Sequence, residues 1–186
     1  MRTWLILAMM AMLACTASAG SVKEKLGPYN VSFDLNTTGK YSITTEEPSN
    51  GVTENGTKFA QYNLSVDGGD SLLYLVLREY KINNQADIDS NKTNINTVTG
   101  TMNTIVRMLD TAQRPNVKLY QLPIDGQTGV LEACRFPSNN EVFACASYFL
   151  KGSTPAIKKT NCRVLSTYPW EITREMLYSL HVEGPA

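Results

Sequence analysis

From Tyr29 the chain alternates: Tyr29, Val31, Phe33 and Leu35 are apolar, and Asn30, Ser32, Asp34 and Asn36 between them are polar. A period of two is that of a strand with one buried face. Thr37-Thr38-Gly39-Lys40 reads as a turn, Tyr41 to Thr44 as the start of a second strand, and Glu46 to Asn55 as a polar loop. Thr57 to Val66 and Ser71 to Tyr80 then read as two arms of a hairpin around Asp67-Gly68-Gly69-Asp70. A two-residue Gly68-Gly69 loop sets Leu64 opposite Leu73, Tyr62 opposite Leu75 and Lys58 opposite Glu79. Leu72 to Leu77 is apolar at every position, which predicts a central strand covered on both faces.

The period changes after a polar loop at 83–90. Ile95, Val98, Met102, Ile105, Val106 and Leu109 recur at helical spacing, with Asp89 or Ser90 as the cap and Arg114-Pro115 as the stop. The outer face is rich in threonine and Gly100 lies within, so packing has to stabilise this helix. Val117 to Ile124 returns as a strand, and Asp125-Gly126-Gln127-Thr128-Gly129 turns it into a second hairpin, Gly129 to Lys151. If Asn139-Asn140 is its two-residue loop, Cys134 faces Cys145 and Phe136 faces Phe143. A short strand around Cys162 to Thr167 follows. Pro169 stands where a closing helix should begin, with Ile172, Met176, Leu177 and Leu180 as its buried stripe. The order predicts an α+β fold: a mainly antiparallel β-sheet with helices packed on its faces, an α/β/α sandwich.

This order of elements resembles the PsbP-like superfamily, the fold of the photosystem extrinsic P protein. The resemblance rests on the opening strands Phe33 to Pro48, the hairpin 57–80, the helix 93–112 and the turn 125–129. The closing Ser166-Thr167-Tyr168-Pro169-Trp170 before the last helix completes it. It implies an accessory or binding role and no shared reaction. The sequons and paired cysteines depart from that group's pattern.

The chain has 186 residues, 42% hydrophobic and 18% charged, with a formal net charge of zero. It can build a core, and it presents no field that would recruit nucleic acid or an anionic membrane. MRTWLILAMMAMLACTASAG has Arg2, an apolar run too short to span a bilayer, and Ala17-Ser18-Ala19 ahead of Gly20, which together predict a signal peptide over 1–19. The competing reading makes Cys15 a lipidated N-terminus, the one route to a membrane. Residues 20–28 read as a polar lead-in and 29–186 as a single domain. Five sequons, at Asn30, Asn36, Asn55, Asn63 and Asn91, fit a glycosylated protein that is secreted or held at the cell surface.

Candidate chemistry is sparse. Among the three cysteines after Cys15, a Cys134–Cys145 disulfide is the first expectation and Cys145–Cys162 the alternative, and their spacing does not suit zinc. Every nucleophile scheme must use His181, the only histidine, and Cys162 is the one thiol partner such a scheme leaves. Against that stands a cation in the last turn of a helix. Asp87-Ile88-Asp89-Ser90-Asn91 imitates the start of a calcium loop, yet Lys92 occupies the place of its glycine. Tyr168 and Trp170 offer an aromatic contact surface, or a staple for the closing helix. No cofactor is expected. The sum points to an exported, non-enzymatic binding or accessory domain with a protein or glycan partner. The alternatives are a secreted hydrolase with a site assembled from distant residues, and a lipoprotein of an envelope assembly. His181 beside Cys162 or a serine would favour the hydrolase.

Overall fold

The alternation at 29–35 builds a strand in which Tyr29, Val31, Phe33 and Leu35 are all at most 1% exposed. The computed structural model describes residues 20–82, 88–108, 117–136, 141–152 and 154–185. The signal-like segment 1–19, with Cys15, lies outside them, as does Asp87 of the calcium-like stretch. In chain order the strands are β1 (Gly20–Leu26), β2 (Tyr29–Leu35), β3 (Ser42–Thr45), β4 (Ser49–Val52), β5 (Lys58–Asp67) and β6 (Leu72–Tyr80). Helix α1 (Ser90–Met108) separates these from β7 (Lys118–Ile124), β8 (Gln127–Arg135) and β9 (Val142–Phe149). The short α2 (Pro155–Lys158), β10 (Thr160–Ser166), α3 (Trp170–Ser179) and β11 (His181–Glu183) close the chain.

The fold is α+β, with two antiparallel sheets. The larger runs β3-β5-β6-β10-β9-β8-β7, with β4 also on β5, and the smaller runs β1-β2-β11. The doubly apolar β6 is central, as its composition requires, and β10 is its neighbour. One face of the large sheet carries α1, whose Val98 and Met102 pack with Val130, Cys134 and Cys145. The other face is covered by the small sheet and α3 together: Val31, Phe33, Leu35, Met176 and Leu177 share one core with Leu64, Leu75 and Val164. A second sheet therefore does part of the covering that was expected of helices alone.

The stretch 20–28 is no lead-in. It is β1, paired along its length with β2 from Gly20 opposite Leu35 to Leu26 opposite Tyr29. Val22 and Leu26 point into the core, while Lys23 and Lys25 face outward, and the half-buried Glu24 between the two apolar residues hides the alternation. Gly27 makes the turn to β2 at φ +61, with the Tyr62 ring packed where a Cβ would stand. Tyr29 ties the two sheets together, since its hydroxyl lies 2.7 Å from Thr160 Oγ1 and donates to Glu79 Oε2 at 3.1 Å.

Both long hairpins turn one residue away from where their sequences predict. Leu64 faces Leu75 and Tyr62 faces Leu77, and the last pair is Asp67–Leu72, so 68–71 form the loop and Lys58 does not meet Glu79. In the second hairpin Cys134 faces Phe143, Glu132 faces Cys145, and Phe136 N donates to Glu141 O at 2.8 Å. Residues 137–140 lie outside the described residues. Each register is shifted by two from the expected one.

The shift overturns the expected cysteine pairing. Cys134 and Cys145 are diagonal neighbours on the α1 face, a relation of about 7–8 Å between Cα atoms, beyond the disulfide range of roughly 4.4–6.8 Å. Cys162 points to the opposite face, opposite Tyr148, which rules out its bridge to Cys145. All three are free and buried.

Candidate functional site

Two places on the surface gather polar side chains from distant parts of the chain. The first lies beside α1. The helix crosses β8 and β9 and leaves the β4–β6 part of the same sheet face uncovered, forming a groove of about 810 Å³. Its floor is made by Phe59, Arg78 and Tyr80, and its sides by Thr53, Asn55 and Thr57 on one bank and Thr93, Asn96 and Thr97 of α1 on the other. Alternation decides this floor. On β6, Tyr74, Val76, Arg78 and Tyr80 share the α1 side, because Leu73, Leu75 and Leu77 are needed in the opposite core.

Arg78 is held firmly. Its guanidinium carbon sits 4.2 Å from the centre of the Phe59 ring, and Nη2 donates to Gln61 Oε1 at 2.9 Å across the β5–β6 pair. Phe59 and Tyr80 meet edge to face at 6.3 Å, and Tyr80 stacks on Phe149 at 6.2 Å. A chain of amides continues the network: Gln61 Nε2 donates to Asn63 Oδ1 at 3.0 Å, and Asn63 Nδ2 to Glu46 Oε2 at 2.6 Å. Arg163 of β10 stands opposite Val76, which makes it the diagonal neighbour of Arg78 on the same face. Burial, together with the like charge of Arg78, lowers the pKa of its guanidinium. Among the described residues neither arginine has a carboxylate within ion-pair distance, and the Nε of each is enclosed without a partner.

The second place is the outer face of the small sheet, a cleft of about 380 Å³ lined by Lys23, Lys25, Asn30, Ser32, His181 and Glu183. His181 belongs to β11; α3 has already ended at Ser179, so the helix-end placement expected for it does not hold. The Asp125-Gly126 turn joins β7 to β8, with Asp125 at φ 51 and Gly126 at φ 67, as a two-residue primed turn demands. That turn aims the Asp125 carboxylate at His181. Oδ1 lies 2.7 Å from His181 Nδ1, while Oδ2 accepts from Val182 N at 3.1 Å and from the Tyr148 hydroxyl at 3.3 Å. In the β2–β11 pairing His181 is opposite Ser32, whose other neighbour is Lys23 of β1. No hydrogen bond joins Ser32 to His181 among the described residues.

Cys162 does not meet His181. It is 0% exposed, beneath Tyr148 and between sheet layers, and burial pushes its thiol far above the ordinary value. A thiolate nucleophile needs the reverse environment. Of the sequon residues, Asn30, Asn36, Asn55 and Asn91 are exposed, and Asn55 stands on the groove's bank. Asn63 is 6% exposed with its amide nitrogen engaged, so no glycan fits on it in the folded chain. Tyr168 is 2% exposed in the main core and Trp170 packs half-buried against it. They form the staple, and Tyr168 offers no contact surface. Asp89 caps α1, its Oδ1 accepting from Lys92 N at 3.0 Å.

Periodicity had pointed to none of Arg78, Arg163, Ser32 and Asp125. One signal was present for the arginines: each is a charge within or directly after an apolar run of a strand, Leu72 to Leu77 for Arg78 and Cys162 to Leu165 for Arg163. No group of three or more histidine, cysteine or acidic side chains that could hold a metal occurs among the described residues, and no described helix is long and apolar enough to cross a membrane. No protein-family model, no curated protein and no solved structure matches this chain.

Proposed function

We propose that the chain is an exported binding or accessory domain acting at the cell surface, with the groove beside α1 as its binding site. What supports this is the Arg78 guanidinium, fixed by Phe59 and Gln61 on the floor of an open groove and without a counter-ion among the described residues. Holding a charge half-buried and unpaired is costly unless a partner brings the opposite one. The export half of the reading rests on the signal-like 1–19 and the exposed sequons. Mass spectrometry of the mature N-terminus tests it, with Gly20 expected as the first residue and a lipidated Cys15 indicating an envelope lipoprotein. The binding half is tested with the intact domain as bait on native surface extracts. A partner recovered by the natural chain and lost by R78Q supports it; equal recovery by both places binding elsewhere.

A second reading has its own observation. Asp125, His181 and Ser32 stand in the order of an acid, an imidazole and a hydroxyl, and Asp125 holds His181 by Nδ1 so that Nε2 is left for a nucleophile. A fluorophosphonate probe decides between the readings. Labelling of Ser32 that disappears in H181A establishes a hydrolase, and an unlabelled Ser32 removes that reading.

A further inference from the structure

The lining of the groove says more about its ligand than that it is anionic. Its banks are neutral and hydroxylated or amidic, with Thr57, Thr93, Asn96 and Thr97 able both to donate and to accept, while the Thr53 hydroxyl is taken up by Asn55 and Thr57. Val52, Ile82 and Ile88 supply apolar walls between them, and among the described lining residues Glu54 is the one carboxylate. The volume of about 810 Å³ is that of a site for a molecule of several rings, far larger than a single ion needs. Such a surface matches a molecule with many hydroxyls, apolar ring faces and few but definite negative charges. An acidic peptide brings carboxylates with almost no hydroxyls, and it docks best on an exposed strand edge, whereas this floor is the face of paired strands.

We propose that the groove binds a carboxylated saccharide, an oligomer of uronic acid type, with Arg78 taking a carboxylate through Nη1 and the remaining hydrogen of Nη2 and Arg163 adding its charge from the neighbouring strand. This rests on the groove being the binding site. The planar guanidinium matches two carboxylate oxygens at once, and the cation–π contact and the Gln61 bond hold it in one orientation before the ligand arrives. Little rotamer freedom is left to lose on binding, which favours affinity.

The experiment is an NMR titration of the whole mature domain with three probes of equal length: a galacturonic acid tetramer, a neutral glucose tetramer and tetraglutamate. The expected result is saturable shifts of the Thr93, Asn96 and Thr97 amides with the galacturonate alone. R78Q should weaken that binding at least tenfold, and R163Q less. If R78Q does not fold, R163Q and R78K carry the test, R78K keeping the charge but losing the planar fork and with it most of the affinity. Equal binding of the neutral tetramer overturns the role of the arginines while leaving the groove a binding site. Equal or tighter binding of tetraglutamate overturns the saccharide. No shift with any probe overturns this inference alone, because recovery of a partner by the natural chain and not by R78Q measures the underlying reading separately.

Discussion

Under α1 three polar side chains bond directly to one another. Asn161 Nδ2 donates to Asn94 Oδ1 and Ser147 Oγ, both at 2.9 Å, and to the Tyr148 carbonyl at 3.0 Å, while the Ser147 hydroxyl donates to Asn94 Oδ1 at 2.9 Å. All three residues are at most 3% exposed. Removing the hub leaves the Ser147 Oγ and Tyr148 carbonyl acceptors unmet, so N161A should cost about 2–6 kcal/mol, two groups at roughly 1–3 kcal/mol each. Urea unfolding checks this, with the midpoint falling and the slope unchanged. The cysteines give a second expectation at this scale. Iodoacetamide at pH 8 should leave Cys134, Cys145 and Cys162 unmodified in the native domain and alkylate all three in guanidinium without reductant. A thiol still blocked in guanidinium would mean a bridge that the register does not allow. These residues were nearly silent in the sequence: nothing in a lone asparagine or serine tells whether it is solvated or is the hub of a buried network. The same is true of Asp125 and His181, 56 residues apart and joined only because a primed turn and a three-residue strand end at one place.

The two hairpins show what a pattern can and cannot measure at the scale of an element. A slip of one residue exchanges the faces of a strand, and the apolar alternation forbids it. A slip of two keeps every face, and only the turn decides it. In both hairpins the turn is centred one residue from the expected place, so Leu64, Leu75 and Val130 still face inward while every partner differs. The cysteine pairing depended on partners and failed; the inward faces depended on parity and held. Helix α1 was legible from its spacing and its cap, and its weakness was legible too. Among its described residues the fully enclosed apolar side chains are Val98 and Met102, on a threonine-rich helix of low intrinsic propensity. M102A should therefore cost about 2–5 kcal/mol. Hydrogen exchange should show where the loss falls: α1 amides lose protection first, and those of β6 and β10 keep theirs until global unfolding.

For the whole molecule, burial of weak acids between the layers sets the behaviour at high pH. Burial pushes the Cys145 thiol up to about 12 from an ordinary 9.0 and the Tyr168 hydroxyl up to about 12 from 10.0. Tyr29, Tyr148 and Cys162 are raised as well, again chiefly by burial. The native state thus keeps protons that the unfolded chain has already released, and above about pH 9 unfolding gives protons up. Stability is complete below that value and falls as pH rises toward 12. Melting curves should show Tm lower at pH 10.5 than at pH 8, and a flat Tm over that interval would contradict the buried, protonated state of these groups. The sequence by itself determined the α+β class, the central place of β6, the inward residues of β2 and the two main helices, because period and turn chemistry are local properties of the chain. It did not determine that 20–26 is a strand of a second sheet, which partners face one another, or that Arg78 and Arg163, and Asp125, His181 and Ser32, come together. Those depend on turn positions that leave parity unchanged and on layers meeting across the core, and only the tertiary structure decides them.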